Sequence, residues 1–258
     1  MTIYDQHVHS YLSFDCDENP ENYLTEATKE LVLTDHFDLN NPVTAFQDDV
    51  PDFDQLLEIK AHLKEKYDVT LRLGVEVGYA PGLANQIQEK LAAYPFEVIL
   101  LSCHHNNQDD YMDESIKAAV ADPIAAYFDQ MIEAIAAIPQ ANILAHFDYG
   151  TRIHQLTVEG LKKYQDRLET LFVAAIQADL AFELNSKSMY RYGNFDLYDY
   201  AIPLYQSLGG HLFTLGSDAH QAADLELDFD KSKALLKKHG VTEVVVYRQG
   251  QREQMPLS

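Results

Sequence analysis

Apolar residues recur along this chain in two rhythms. Short runs rich in β-forming residues fall at residues 2–7, 31–35, 70–75, 97–102, 142–146, 180–184, 211–215 and 243–247, and predict strands. Longer amphipathic stretches lie between them, near 20–29, 53–66, 83–93, 115–138, 158–178, 197–208 and 222–239, and predict helices. In one of these, Ile124, Tyr127, Phe128, Met131, Ile132 and Ile135 keep the i, i+3/i+4 spacing of a single helix face. Strand and helix alternate seven or eight times without a break in composition. That rhythm predicts an α/β fold with a barrel-like parallel sheet and a single domain over 1–258.

Composition narrows the function. The 258 residues suit one α/β barrel, and a hydrophobic fraction of 47% can supply its core. No run approaches 18 uncharged apolar residues, and the start MTIYDQHVHS lacks a secretory pattern, so no membrane partner is expected. Two cysteines, Cys16 and Cys103, make no disulfide framework, and a cytoplasmic protein is the simplest expectation. The net charge of −22, from 41 acids against 19 bases, argues against nucleic acid as a partner. An anionic substrate would then need local positive charge, which bound divalent cations supply.

Potential metal ligands fall at the ends of the predicted strands. His7 and His9 end the first, with Asp15 in its loop, and His36 ends the second within LTDHFD. Glu76 ends the third within LGVEVG, and His104 and His105 end the fourth within LLSCHH. His146 ends the fifth within ILAHFD, and Asp218 and His220 close a late strand within TLGSDAH. In an α/β barrel the carboxyl ends of the strands converge on the catalytic face, so these residues would meet in one cup. Each has a bland reading by itself. The i, i+2 pair His7 and His9 shares one side of a strand but also arises by chance, His146 suits a hydrogen-bonded core, and Asp218 suits a helix cap. Glu76 after an apolar strand is costly to bury without a cation or donor. Together they predict a metal centre.

Other chemistry is weaker. Cys103 adjoins His104, but neighbours in a strand point to opposite sides, so a small core residue is the expectation. There is no Gly-rich phosphate loop and no Ser nucleophile elbow. His62 and His239 fall in helical patterns and His211 opens a strand, so all three read as structural or solvated, and His154 is ambiguous.

The segments HVHSYLSFD, TDH, GVE, SCH, HFD and SDAH, in this order over residues 5–220, resemble the PHP (polymerase and histidinol phosphatase) superfamily, in particular its stand-alone histidinol-phosphatase branch. The resemblance implies a distorted (β/α)7 TIM-like barrel with three divalent metal ions, Zn, Fe or Mn. It implies one ion on His7, His9, Glu76 and Asp218, a second sharing Glu76 and adding His104 and His146, and a third on Asp15, His36 and His220. Asp17 competes with Asp15, where many family members have His.

The implied reaction is phosphate monoester hydrolysis with a metal-bridging hydroxide as nucleophile, and Glu76, His104, Asp218 and His220 at the catalytic centre. The implied partner is a small-molecule ester, L-histidinol phosphate, within histidine biosynthesis. Arg152 and Arg191, in loops on the catalytic face, are candidate phosphate clamps, with Lys187 weaker and His105 a substrate-binding or supporting residue. Asp148 and His105 are the candidate proton donors. The alternatives are a PHP-type enzyme for a nucleotide, phosphodiester or phosphotyrosine, and a non-catalytic metal-stabilised scaffold.

Overall fold

A strand buried on both faces reads as an unbroken apolar run, and that is how the central strand Val98–Ser102 is built. The computed structural model describes residues 4–257. Its strands are β1 (Glu30–Leu33), β2 (His36–Asn41), β3 (Gln47–Asp49), β4 (Thr70–Gly78), β5 (Val98–Ser102), β6 (Ile143–Leu144), β7 (Ala181–Asn185), β8 (Phe213–Gly216), β9 (Glu243–Arg248) and β10 (Gln251–Pro256). In β5, Ile99 and Leu101 pack among the helices while Val98 and Leu100 face inward. Both sides therefore bury apolar area, at roughly 25 cal/mol per Å².

The sheet runs β3-β2-β4-β5-β6-β7-β8, parallel throughout except for β3. β1 and β2 pair with successive parts of β4, so they act as one strand broken at Thr34 and Asp35. The ring is closed by residues 5–9, which bridge Asp5 to Leu215 and Val8 to Ala219 on one side. On the other side Val8 exchanges bonds with Thr34, whose N donates to Val8 O at 2.8 Å and whose hydroxyl accepts from Val8 N at 3.0 Å. Seven parallel members result, and the TIM-like expectation holds. Of the predicted first strand, residues 2 and 3 lie outside the described residues.

Several predicted elements differ. The predicted 243–247 strand lies outside the ring: β9 pairs antiparallel with β10. Its Val245 and Tyr247 cluster with Val32, Val98, Leu100, Ile143 and Ala181, closing the mouth at the strands' amino ends. The predicted 20–29 helix shrinks to one 3-10 turn, Pro20–Tyr23, because Leu24 turns extended and the Thr28 hydroxyl takes the Thr25 N–H. The 115–138 helix splits into Ile116–Ala119 and Pro123–Ala137. Pro123 has no N–H to donate and forces Asp122 out of the helical region. Similarly, 158–178 becomes Val158–Leu161 and Gln165–Gln177 around a 3-10 turn, and 222–239 becomes a 3-10 turn followed by Phe229–Lys238. No helix among the described residues is long and apolar enough to cross a membrane.

Candidate metal centre and active site

The strand ends deliver what their positions predict. Residues 5–9 carry His7 and His9 inward, β4 carries Glu76, and His104, His146, Asp218 and His220 follow β5, β6 and β8. His36 opens β2 rather than ending a strand, because the break at Thr34–Asp35 comes just before it. Asp218 sits at φ 55°, a left-handed conformation that Asp tolerates, with its N–H donating to His7 O at 2.8 Å.

Glu76 is the hub. Its Oε2 lies 3.1 Å from His7 Nε2, 3.1 Å from His36 Nδ1 and 3.5 Å from His9 Nε2, while Oε1 lies 3.2 Å from His104 Nε2 and 2.7 Å from His146 Nε2. His9 Nε2 is also 3.5 Å from Asp218 Oδ1, and Asp15 Oδ2 is 3.2 Å from His220 Nε2 and 3.6 Å from His36 Nε2. Donor atoms within 4.8 Å of one another form four sets: His9, His36 and His220; His7, His9 and Glu76; His7, His146 and Asp218; and His36, Glu76 and His104. Bonds of about 2.1 Å place two ligands of a tetrahedral ion about 3.4 Å apart, close to these spacings. Two observations test the fit. His36 Nδ1, despite standing 3.1 Å from Glu76 Oε2, and His146 Nδ1 are buried and make no hydrogen bond, and the mixed imidazole and carboxylate set suits Zn, Fe or Mn.

A layer beneath aims the imidazoles, and sequence reasoning missed it. Glu183 on β7 accepts His7 Nδ1 at 2.7 Å and the His146 N–H at 2.7 Å. Asp38 on β2 holds His104 Nδ1 at 2.8 Å. The Ser13 hydroxyl donates to Asp35 at 2.9 Å and so must accept from His9 Nδ1 at 3.0 Å. Each device leaves Nε2 facing the centre, as carboxylate-buttressed metal ligands do. The signal in the sequence is glycine: a Cβ at Gly78 would overlap the Asp38 carboxylate, and one at Gly216 would overlap that of Glu183.

Charge is strongly perturbed. Burial alone would raise the Glu76 carboxyl, but His7, His36, His104 and His146 outweigh it and hold it well below its ordinary value. Burial opposes protonation of His7, yet Glu183, Glu76 and Asp218 lift it well above normal; Asp38 and Glu76 do the same for His104. His9 is pushed well down by burial and by its neighbours His220 and His36. Protons on His7 and His104 thus compete with cations, and metal binding would release them.

Beside the centre lies a cavity of about 190 Å³, lined among others by Asp15, His104, His146, Asp218 and His220. Arg152 lines it at 7% exposure; its Nε donates to Ser188 Oγ at 3.2 Å, its guanidinium packs on Tyr149 and Tyr192, and its Nη2 makes no hydrogen bond, its nearest acid being Asp218 Oδ2 at 3.9 Å. Lys187 lines it too, with Nζ 3.0 Å from Asp218 Oδ1. Other sequence candidates fall elsewhere. Arg191 is absent from the lining; its side chain is 56% exposed and paired with Asp224, because its position ends the short helix Ser186–Tyr190 on the solvent side. His105 is buried with Nε2 3.9 Å from Asp38, so it lies beneath the site rather than on its wall. Asp148 is saturated by Ser188 Oγ, Asn194 Nδ2 and Tyr198 OH, which makes it a support for the Arg152 loop and not a free proton donor. Asp17 does not line the cavity, whereas Asp15 does.

The bland readings survive. Cys103 lies fully buried in the apolar core, where burial raises its thiol well above normal. His62 and His239 pair with Glu21 and Asp199, and His211 meets Gly209 O at 3.3 Å. His154 ends the 3-10 helix Tyr149–His154.

The chain resembles known proteins over most of its length. A histidinol-phosphatase of Lactococcus lactis subsp. lactis is 25% identical over 258 residues, covering 96% of this chain and 95% of the relative. A Clostridium acetobutylicum protein named "Probable histidinol-phosphatase" is 26% identical, covering 88% and 90%. Among solved structures, the L. lactis histidinol phosphate phosphatase complexed with Zn, L-histidinol and phosphate superposes with a TM-score of 0.78 at 22% identity, covering 96% of this chain and 98% of that one. The sequence profile of the PHP domain matches residues 5–187, and this chain belongs to the PHP domain family.

Proposed function

We propose that this protein is a metal-dependent phosphate monoester hydrolase that converts L-histidinol phosphate and water to L-histidinol and phosphate, in histidine biosynthesis in the cytosol. The observation that carries the reading is the convergence of buttressed imidazoles on Glu76 beside an Arg152 Nη2 that is buried and makes no hydrogen bond. The names of the relatives over nearly their whole length support the substrate.

Three divalent ions, Zn, Fe or Mn, would be held by His7, His9, Glu76 and Asp218; by Glu76, His104 and His146; and by Asp15, His36 and His220. His9 and His36 stand close enough to neighbouring sets to be shared. Bound there, such ions lower the pKa of a water toward about 7 and polarise phosphoryl oxygens. Glu183, Asp38 and the Ser13–Asp35 pair fix the imidazole tautomers. Arg152 and Lys187 orient the phosphoryl group, the former through a planar fork already desolvated and held by Ser188. Glu76, His104, Asp218 and His220 form the wall and floor against which it reacts.

The test is elemental analysis of the purified protein together with phosphate release from a panel of esters. About three equivalents of metal, and L-histidinol phosphate as the preferred ester, are expected. Bound metal with no release from any ester would leave only a scaffold. Preference for a nucleotide, phosphodiester or phosphotyrosine would move the substrate elsewhere.

A further inference from the structure

The cavity beside the metal centre is chemically lopsided. Arg152 follows β6 and Lys187 follows β7, so the cationic side chains occupy one arc of the rim. Asp110 follows β5 and stands on the adjoining arc, with Met112 beside it in the lining. Tyr149 stands between them: its ring faces the Arg152 guanidinium at 5.1 Å, and its hydroxyl reaches Asp110 Oδ1 at 3.3 Å.

Asp110 is held in place but not neutralised. Its Oδ1 accepts the Met112 N–H at 2.5 Å, and its backbone bridges to His105. Among the described residues no Lys, Arg or His forms an ion pair with it, although the protein's other cavity-lining carboxylates, Asp15 and Asp218, each have such partners. Burial pushes its carboxyl up, as for a charge short of a counterion. The opposite pole keeps unused donor capacity: the Arg152 Nη2 is buried without a hydrogen bond, 3.9 Å from Asp218 Oδ2. A ligand carrying an anion at one end and a cation at the other would satisfy both.

We propose that Asp110 binds a cationic group on the leaving alcohol, an ammonium or a protonated imidazole, and so selects aminated phosphate monoesters over uncharged ones. Met112 offers an apolar surface to the carbon skeleton between the two charges. The inference rests on the phosphomonoesterase reading, but its test does not depend on turnover alone. Binding of L-histidinol, the cationic product, to the metal-loaded protein is measured by calorimetry for wild type, Asp110→Asn and Asp110→Glu. A charge-assisted contact predicts that Kd weakens on the order of 30-fold in Asp110→Asn and recovers in part in Asp110→Glu. In parallel, the ratio of kcat/KM for L-histidinol phosphate to that for glycerol 3-phosphate should fall by a similar factor, chiefly through KM.

Equal losses on both esters would mean proton donation or a structural role and would overturn the proposal, as would an unaltered Kd or a wild type that does not bind L-histidinol. If wild type binds L-histidinol but prefers other esters, the histidinol-phosphatase reading fails while Asp110 is still judged by the Kd shift. Thermal melting of each variant separates misfolding from lost recognition.

Discussion

The two mouths of this barrel bury charge in opposite ways. At the amino ends of the strands, Arg72 bridges Glu30 at 2.7 Å and Glu97 at 3.2 Å, and Arg248 grips Glu30 at 2.6 Å. Glu97 also takes the Gln249 N–H at 2.5 Å, and the apolar cluster around Val245 and Tyr247 plugs the opening. Each acid there has a guanidinium from the chain. At the carboxyl ends, Glu76, Asp218 and Asp15 face imidazoles that need a proton or a cation to balance them, and among the described residues the Lys and Arg ion pairs to the three are confined to Asp218, with Lys187 at 3.0 Å and Arg152 at 3.9 Å. The difference teaches where stability and function part. One mouth is neutralised by covalently attached side chains and is sealed; the other leaves its charge to be balanced by what binds.

That comparison can be broken by experiment. The largest effect is expected at the hub: Glu76→Ala should lower kcat/KM by about three orders of magnitude while far-ultraviolet circular dichroism stays native. Undiminished kcat would show that the hub is not catalytic. Next, Arg72→Ala should destabilise folding by about 2–3 kcal/mol in urea titrations, less than a fully buried pair because its side chain is 13% exposed, and should leave metal content intact. Loss of metal in that variant would mean that the two mouths are coupled. Glu183→Gln keeps the shape but weakens the acceptor of His7 Nδ1, and should reduce metal affinity 10–100-fold in chelator competition. Wild-type affinity would demote the buttress. The smallest effect belongs to Arg191→Ala, whose exposed pair with Asp224 predicts KM within about twofold of wild type. A large rise in KM would bring Arg191 back into the site.

Much of the site was legible because a barrel converts strand ends into neighbours. His7, His9, Glu76, His104, His146 and Asp218 each close an apolar run, and the fold gathers them. The buttresses were not legible, because Glu183 and Asp38 read as ordinary acids until Gly216 and Gly78 are seen to vacate their space. Arg152 and Arg191 looked alike in sequence, both basic residues in rim loops. Burial and the Ser188 bond distinguish the first, and only packing supplies them.

Local pattern alone determined the alternation of strands and helices, the convergence of ligands at one face and the absence of a long apolar span, since each depends on spacing along the chain. Tertiary structure decided that residues 5–9 close the ring, that β9 leaves it to plug the far mouth, and which acids stand beneath the imidazoles. Those outcomes depend on contacts between residues as far apart as Asp5 and Ser217, joined at 2.9 Å, and on volumes that no local pattern encodes.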